Sequence, residues 1–107
     1  MAWSQQDITD QSGKVFLVTG GNAGIGFATV GMLAARHARV ILACRNPEKG
    51  RAALAAIKSR QADADVVVEQ LDLASLASIR AFSERLTAKS TPIDVLINNA
   101  GIMMPEL

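Results

Sequence analysis

The segment Leu17–Gly26, with the sequence LVTGGNAGIG, constrains the fold of this chain more than any other feature. An apolar stretch that begins at Val15 ends in a turn containing four glycines and continues directly into helix-forming sequence. Glycine tolerates the backbone angles of a tight turn and lets a ligand approach the main chain closely. The first N–H groups of the next helix lack partners within that helix. The pattern therefore predicts a strand, a turn and a helix that together cradle a phosphate group.

Composition limits the remaining possibilities. The 107 residues, of which 50% are hydrophobic and 20% charged, predict one globular domain. The formal charge of +1 argues against nucleic acid as a partner, because no excess of basic residues is available. The single cysteine, Cys44, cannot form an internal disulfide and excludes a multi-cysteine metal site. We therefore expect neither a metal nor a nucleic acid.

The N-terminal residues 1–13 are polar and resemble neither a signal peptide nor a basic transit segment. The apolar stretches are shorter than the about 20 residues that a membrane-spanning helix requires. We predict a polar extension over residues 1–13, a domain over residues 14–107, and a soluble cytoplasmic protein without a membrane partner.

Short β-type stretches alternate with longer helical patterns along the chain. The predicted strands are Val15–Val18, Arg39–Ala43, Asp65–Leu71 and Ile93–Asn98, and the predicted helices are about Gly24–Arg36, Pro47–Gln61 and Leu73–Ala88. The start of the third helix is left open, because either Ala74 or Ser75 could open it. Parallel strands need crossover connections, and those connections are right-handed almost without exception. The fold class is therefore α/β: a partial Rossmann fold with a parallel sheet of about four strands, in the order 3-2-1-4, and helices on both faces.

The first predicted helix has a candidate apolar stripe. Ile25, Ala28, Met32 and Leu33 are spaced so that we expect them to face the sheet. His37 follows this helix and has no acidic neighbour in the sequence, so we interpret it as a solvated histidine at a helix end.

Four motifs in register identify a family resemblance. They are Thr19-Gly20-x-x-x-Gly24-x-Gly26, Ala43-Cys44-Arg45-Asn46, Leu71-Asp72-Leu73 and Asn98-Asn99-Ala100-Gly101. From Lys14 onward the chain resembles the short-chain dehydrogenases/reductases, and specifically the branch that contains retinol dehydrogenases and protochlorophyllide reductase-like proteins. The resemblance implies an oxidoreductase that binds a nicotinamide dinucleotide.

The glycine motif has a role in that resemblance. It implies that Gly20, Gly24 and Gly26 bring the backbone near the cofactor phosphates, with Asn22 beside the adenosine ribose and Ile25 on the nicotinamide side. The alternative is a strand-to-helix turn without a ligand.

Arg45 bears on the choice of cofactor. In dinucleotide-binding folds an acidic residue about 20 residues beyond the glycine turn binds the ribose 2′-hydroxyl. Cys44 stands at that position here and Arg45 follows it, so a 2′-phosphate would meet a guanidinium rather than a carboxylate. NADP(H) is predicted over NAD(H); alternatively, Arg45 is a solvated loop residue. Cys44 itself is interpreted as a small residue filling a strand end.

The last two motifs imply further contacts. Asp72 is expected to accept a hydrogen bond from the adenine amino group, with Leu73 packing near the ring; a helix N-cap is an alternative role for Asp72. Asn98 is expected to tie the central strands, with Ala100 and Gly101 along the cofactor ribose. We assign these residues to cofactor binding and none of them to catalysis.

Catalysis in the family uses a Ser and a Tyr-x-x-x-Lys pair downstream of the asparagine motif, and this chain contains no tyrosine. We therefore expect the NADP(H)-binding N-terminal portion of an enzyme that moves hydride between nicotinamide and a carbonyl or alcohol substrate, without turnover by this chain alone. The alternative is a stand-alone, non-catalytic dinucleotide-binding module that self-associates through the apolar edge around Val95–Ile97.

Overall fold

A computed structural model describes residues 9–20, 24–90 and 92–98 of the chain. Strands and helices alternate through these ranges as predicted. The elements are β1 (Val15–Thr19), α1 (Gly24–Ala35), β2 (Arg39–Cys44), α2 (Pro47–Arg60), β3 (Val66–Gln70), α3 (Leu76–Ala88) and β4 (Val95–Asn98). Within the described part, no helix is both long and apolar enough to cross a membrane.

The four strands form one parallel sheet in the order β3-β2-β1-β4. Val18 of β1 lies opposite Leu42 of β2 on one side and Ile97 of β4 on the other. The predicted strand order 3-2-1-4 is therefore confirmed. The chain adds β2 and β3 on one side of β1 and then adds β4 on the other side, so the strand order reverses between β1 and β4. Doubly wound sheets bind ligands at this point.

Two apolar layers cover the sheet. On one face, Val18, Val40 and Leu42 pack against α1 and α2. On the other face, Leu17 and Ile41 pack in a cluster with Phe82 of α3. Alternate side chains of a strand point to opposite faces, so neighbouring residues of β1 and β2 enter different layers. Five consecutive residues of β2 are buried, as expected for a central strand covered on both sides.

The apolar stripe predicted for α1 is correct for Leu33, which is buried, but wrong for Ile25 and Ala28. Ile25 is 79% exposed and Ala28 is exposed. The residues that α1 buries are Gly26, Val30, Leu33 and Ala34. The helix carries apolar residues of its own on every side, so its sequence does not indicate which face packs on the sheet. The rotation of the helix is decided by its packing on the sheet.

Side-chain caps determine where the later helices begin. Asn46 accepts hydrogen bonds from the backbone N–H groups of Glu48 and Lys49 ahead of α2. Ser75 accepts one from the N–H of Ser78 at 3.1 Å. Helix α3 therefore begins at Leu76, directly after Ser75, which was one of the two residues considered as its opening. The N-cap role considered for Asp72 is wrong because Ser75 fills it.

Candidate functional site at the carboxyl edge of the sheet

The four strands end along one edge of the sheet. Thr19, the last residue of β1, lies opposite Ala43 of β2 and Asn98 of β4. Cys44 at the end of β2 lies opposite Gln70 at the end of β3. Neighbouring strands are about 4.8 Å apart, so the segments that leave these strands emerge side by side. The structure thereby places the described residues of the four motifs along a single edge.

The glycine turn begins with residues whose backbone angles favour glycine. Gly20 has a φ of 66° and donates its N–H to the carbonyl of Ala43 at 2.8 Å, which extends the β1–β2 pairing. Gly24 has a φ of 62°, although a Cβ there would meet nothing within 4 Å. Gly24 is therefore required for its backbone conformation rather than for space. Asn22 lies outside the described residues.

The N-terminus of α1 faces the same edge without a competing negative charge. The first turn of this 12-residue helix contains no acidic residue. Gly26 is buried, whereas Ile25 is 79% exposed. The helix dipole places partial positive charge at this end, so the edge favours an anion.

The end of β2 combines a buried thiol with an exposed cation. Cys44 is 3% exposed and donates its S–H to the carbonyl of Asn46 at 3.2 Å. Burial raises the pKa of the Cys44 thiol, which therefore stays protonated near neutral pH. Its position agrees with the interpretation of Cys44 as a residue filling a strand end. The next residue, Arg45, is exposed.

The segment after β3 pairs with the end of β2 and then turns at Asp72. Leu71 donates its N–H to the carbonyl of Cys44 at 2.9 Å, which brings the ends of β2 and β3 together. Asp72 follows, and its Oδ1 accepts a hydrogen bond from the N–H of Ala74 at 3.0 Å. Leu73 is 42% exposed. An aspartate and an apolar side chain thus follow the end of β3 at this edge of the sheet.

Asn98 joins the two strands at the switch point. The Oγ1 of Thr19 donates to the Oδ1 of Asn98 at 3.1 Å. Thr19 is the one buried polar side chain of the described core. The contact agrees with a structural role for Asn98. Ala100 and Gly101 lie outside the described residues.

His37 lies at the other end of the molecule. Helix α1 starts at the carboxyl edge and spans about 18 Å at 1.5 Å per residue. Beyond its end, His37 Nδ1 lies 2.9 Å from Oδ1 of Asp10, and both side chains are about two-thirds exposed. His37 and Ser12 hydrogen-bond to Asp10 and lower the pKa of its carboxyl. The predicted solvation is confirmed. The acidic partner Asp10 is no neighbour of His37 in the sequence, since 27 positions separate the two residues, and only the fold brings them together.

Ser78, which was not predicted as a site residue, also contributes to this edge: its hydroxyl accepts the N–H of Asp72 at 2.8 Å. The only sequence signal near it was Ser75, a residue type favoured at helix N-caps, three positions earlier. Among the described residues, no group of three or more histidine, cysteine, aspartate or glutamate side chains is placed to hold a metal ion.

A parallel sheet ordered 3-2-1-4, with a glycine turn after its first strand and a helix N-terminus at the switch point, defines a Rossmann-type nucleotide-binding domain. Residues 14–107 match the short chain dehydrogenase family. The chain belongs to this family of oxidoreductases.

Its relatives include retinol dehydrogenases, which places the chain in the retinol dehydrogenase-like branch. Retinol dehydrogenase 12 of Mus musculus is 48% identical over 92 residues, which cover 86% of this chain and 29% of that protein. Retinol dehydrogenase 11 of Homo sapiens is 49% identical over 92 residues, with the same coverage of 86% and 29%. The chain thus spans about a third of the length of its curated relatives.

Solved structures of the family share the fold. Menthone neomenthol reductase from Mentha piperita aligns with a TM-score of 0.76 at 36% identity, over 82% of this chain and 31% of that one. An NADPH-bound short chain oxidoreductase from Pseudomonas aeruginosa aligns with a TM-score of 0.74 at 34% identity, over 83% and 35% of the two chains.

Proposed function

We propose that residues 14–107 form the cofactor-binding half-domain of an NADP(H)-dependent oxidoreductase, with residues 1–13 as a polar extension. The observation that carries this proposal is the alignment of Gly20, Arg45, Asp72 and Asn98 along one edge of a parallel sheet. When bound, the nicotinamide of the cofactor would exchange a hydride with a carbonyl or alcohol substrate. The chain's own residues would bind and orient it.

The residues present fit a dinucleotide. Gly20 and Gly24 adopt the positive φ angles of a tight turn, and α1 begins without an acidic side chain. A pyrophosphate would therefore meet N–H groups and a positive helix end. We assign the phosphates to the Gly20–Gly26 turn, the ribose side to Asn22 and the nicotinamide side to Ile25.

The adenosine end would lie across the neighbouring strands. Asp72 would accept a hydrogen bond from the adenine amino group through its carboxylate, and the exposed Leu73 would pack against the ring. On the other side of the switch point, Asn98 would tie the central strands, and the backbone of Ala100 and Gly101 would lie along the cofactor ribose.

The preference for NADP(H) follows from the end of β2. Cys44 is buried and protonated, so it cannot repel a phosphate, and Arg45 is exposed at the same edge. A guanidinium binds a phosphate through charge-assisted hydrogen bonds, while no carboxylate is available there for the 2′-hydroxyl of NAD(H). The NADPH-bound relative supports this assignment.

Calorimetric titration with NADPH and NADH tests the proposal. We expect tighter binding of NADPH, and Arg45→Ala should reduce that preference about 10- to 100-fold, because hydrogen bonds to charged groups contribute about 1.5–3 kcal/mol. Arg39→Ala is the matched control, since Arg39 is also exposed but lies at the opposite end of β2. An unchanged preference in Arg45→Ala would assign Arg45 to the solvated loop. Failure of the folded chain to bind either nucleotide would refute cofactor binding.

We expect no turnover from this chain alone. It contains no tyrosine, so the proton donor of the family's Tyr-x-x-x-Lys pair cannot come from it. Incubation of the chain with NADPH and a panel of aldehydes and ketones should leave the absorbance of the reduced nicotinamide constant. Oxidation of NADPH that depends on a carbonyl substrate would contradict this expectation.

A second candidate function is a non-catalytic module that self-associates. The observation in its favour is the exposure of two apolar side chains on β4, Val95 at 38% and Leu96 at 59%. In the described sheet β4 is an edge strand, and edge strands with apolar side chains associate readily.

A further inference from the structure

The bend between β3 and α3 holds Asp72 through three hydrogen bonds. Its carbonyl accepts from the N–H of Ser75 at 3.0 Å, and its Oδ1 accepts from the N–H of Ala74, also at 3.0 Å. Its own N–H donates to the hydroxyl of Ser78 at 2.8 Å. Among the described residues, no group donates to the second carboxylate oxygen, Oδ2. One oxygen is therefore used within the bend and the other is available to a ligand.

Ser78 links this bend to the body of α3. Its hydroxyl oxygen accepts the N–H of Asp72, and its own N–H donates to the Oγ of Ser75 at 3.1 Å. Ser78 is half-buried in the first turn of the helix, where the backbone is fixed by the Ser75 cap. This hydrogen bond thus fixes the backbone of Asp72 relative to the helix, six residues later in the chain.

We infer that Ser78 is a positioning residue that fixes the direction of the Asp72 carboxylate toward the amino group of adenine. The inference rests on the proposed function, because it requires the adenine to lie at Asp72. Without the Ser78 hydroxyl, the N–H of Asp72 loses its acceptor, and the bend can rotate to pair that N–H with water. The Oδ2 oxygen then points away from the base.

The discriminating measurement compares two cofactors that differ at one group. Deamino-NADPH carries hypoxanthine, in which a carbonyl oxygen replaces the adenine amino group, so the Asp72 carboxylate would face an acceptor instead of a donor. We expect the unmodified chain to bind NADPH about 10-fold or more tightly than deamino-NADPH, since a hydrogen bond to a charged group is at stake. Asp72→Asn should remove most of this preference.

The Ser78 variants then test the inference. Ser78→Val should reduce the NADPH preference at least about 5-fold. Ser78→Thr should retain the preference, because threonine has nearly the same shape as valine but keeps the hydroxyl. Ser83→Ala is a control on the exposed side of the same helix and should leave the preference unchanged. A general loss of stability would weaken the binding of both nucleotides equally and would not alter the ratio.

The outcomes separate the two proposals. If Ser78→Val keeps the preference while Asp72→Asn loses it, Ser78 has no positioning role and the proposed function stands. If Asp72→Asn still prefers NADPH over deamino-NADPH, Asp72 does not recognise the adenine amino group and the inference is overturned. If the folded, unmodified chain binds neither nucleotide, the proposed function fails instead.

Discussion

Gly50 lies where helix α2 approaches strands β2 and β3 closely. A Cβ built there would lie 2.7 Å from both the Sγ of Cys44 and the Cγ1 of Val68. Both atoms belong to short, packed side chains that cannot swing away. We expect Gly50→Ala to destabilise the protein by about 1–2 kcal/mol, because overpacking outweighs the gain in helix propensity. Thermal or urea unfolding followed by circular dichroism measures this change.

Gly31 provides the matched control for Gly50. It also lies inside a helix, α1, but a Cβ there would meet nothing within 4 Å. Gly31→Ala should therefore leave stability unchanged or raise it by up to about 1 kcal/mol. Equal effects of the two substitutions would contradict the close approach at Gly50.

Helix α3 is attached to β3 by a charged cluster of Glu69, Arg85 and Lys89. Glu69 of β3 accepts hydrogen bonds from Arg85 Nε at 2.9 Å and from Lys89 Nζ at 2.8 Å. Arg85 also donates through Nη2 to the carbonyl of Gln70 at 2.7 Å. Although burial raises the pKa of Glu69, the hydrogen bonds from Lys89 and Arg85 outweigh it and lower the pKa below the ordinary value of 4.5. The cluster fixes the helix whose first turn carries Ser78.

The lowered pKa of Glu69 predicts a pH dependence of stability. A carboxyl with a lower pKa in the folded state stabilises the protein above pH 4.5, its ordinary value, and the contribution is lost as pH falls through the folded pKa. Glu69→Gln should therefore cost about 1–2 kcal/mol at pH 7 and little below the folded pKa. Urea unfolding at a series of pH values tests this.

The control for Glu69 is Glu84→Gln, since Glu84 is an exposed glutamate on α3, the helix that carries Arg85. It should leave the free energy of unfolding within about 0.5 kcal/mol at every pH. A Glu69→Gln effect that stays constant from pH 7 to pH 3 would argue against a role for its charge.

On the scale of the whole molecule, the described sheet has an exposed edge at β4. Leu96 is 59% exposed and lies opposite Leu17 in the β1–β4 register. If the chain self-associates through this edge, Leu96→Glu should shift it from dimer to monomer, because a charge would be buried in the interface. Size-exclusion chromatography with light scattering measures the mass.

Leu76→Glu is the control for this edge, since Leu76 is 79% exposed at the start of α3. It should not change the mass. A monomeric unmodified chain would remove the support for the self-associating module.

The alternation of strands and helices was predictable because short apolar stretches alternate with longer helical patterns along the chain. Motif order also placed the glycine turn, Arg45, Asp72 and Asn98 after successive strands. The sequence could not predict the rotation of α1, because apolar residues on all sides of that helix leave no pattern to orient it. The Asp10–His37 pair was missed for a related reason: the two residues are separated by a complete strand and helix.

The sequence by itself determined the α/β class, the strand order and the family, since these depend on periodicity, glycine spacing and motif order, which are local properties of the chain. The tertiary structure decided which side chains meet: Thr19 with Asn98, Glu69 with Arg85, and Ser78 with the backbone of Asp72. Such contacts depend on the rotation and offset of whole elements. Those are set by packing among many residues at once, and no local pattern records them.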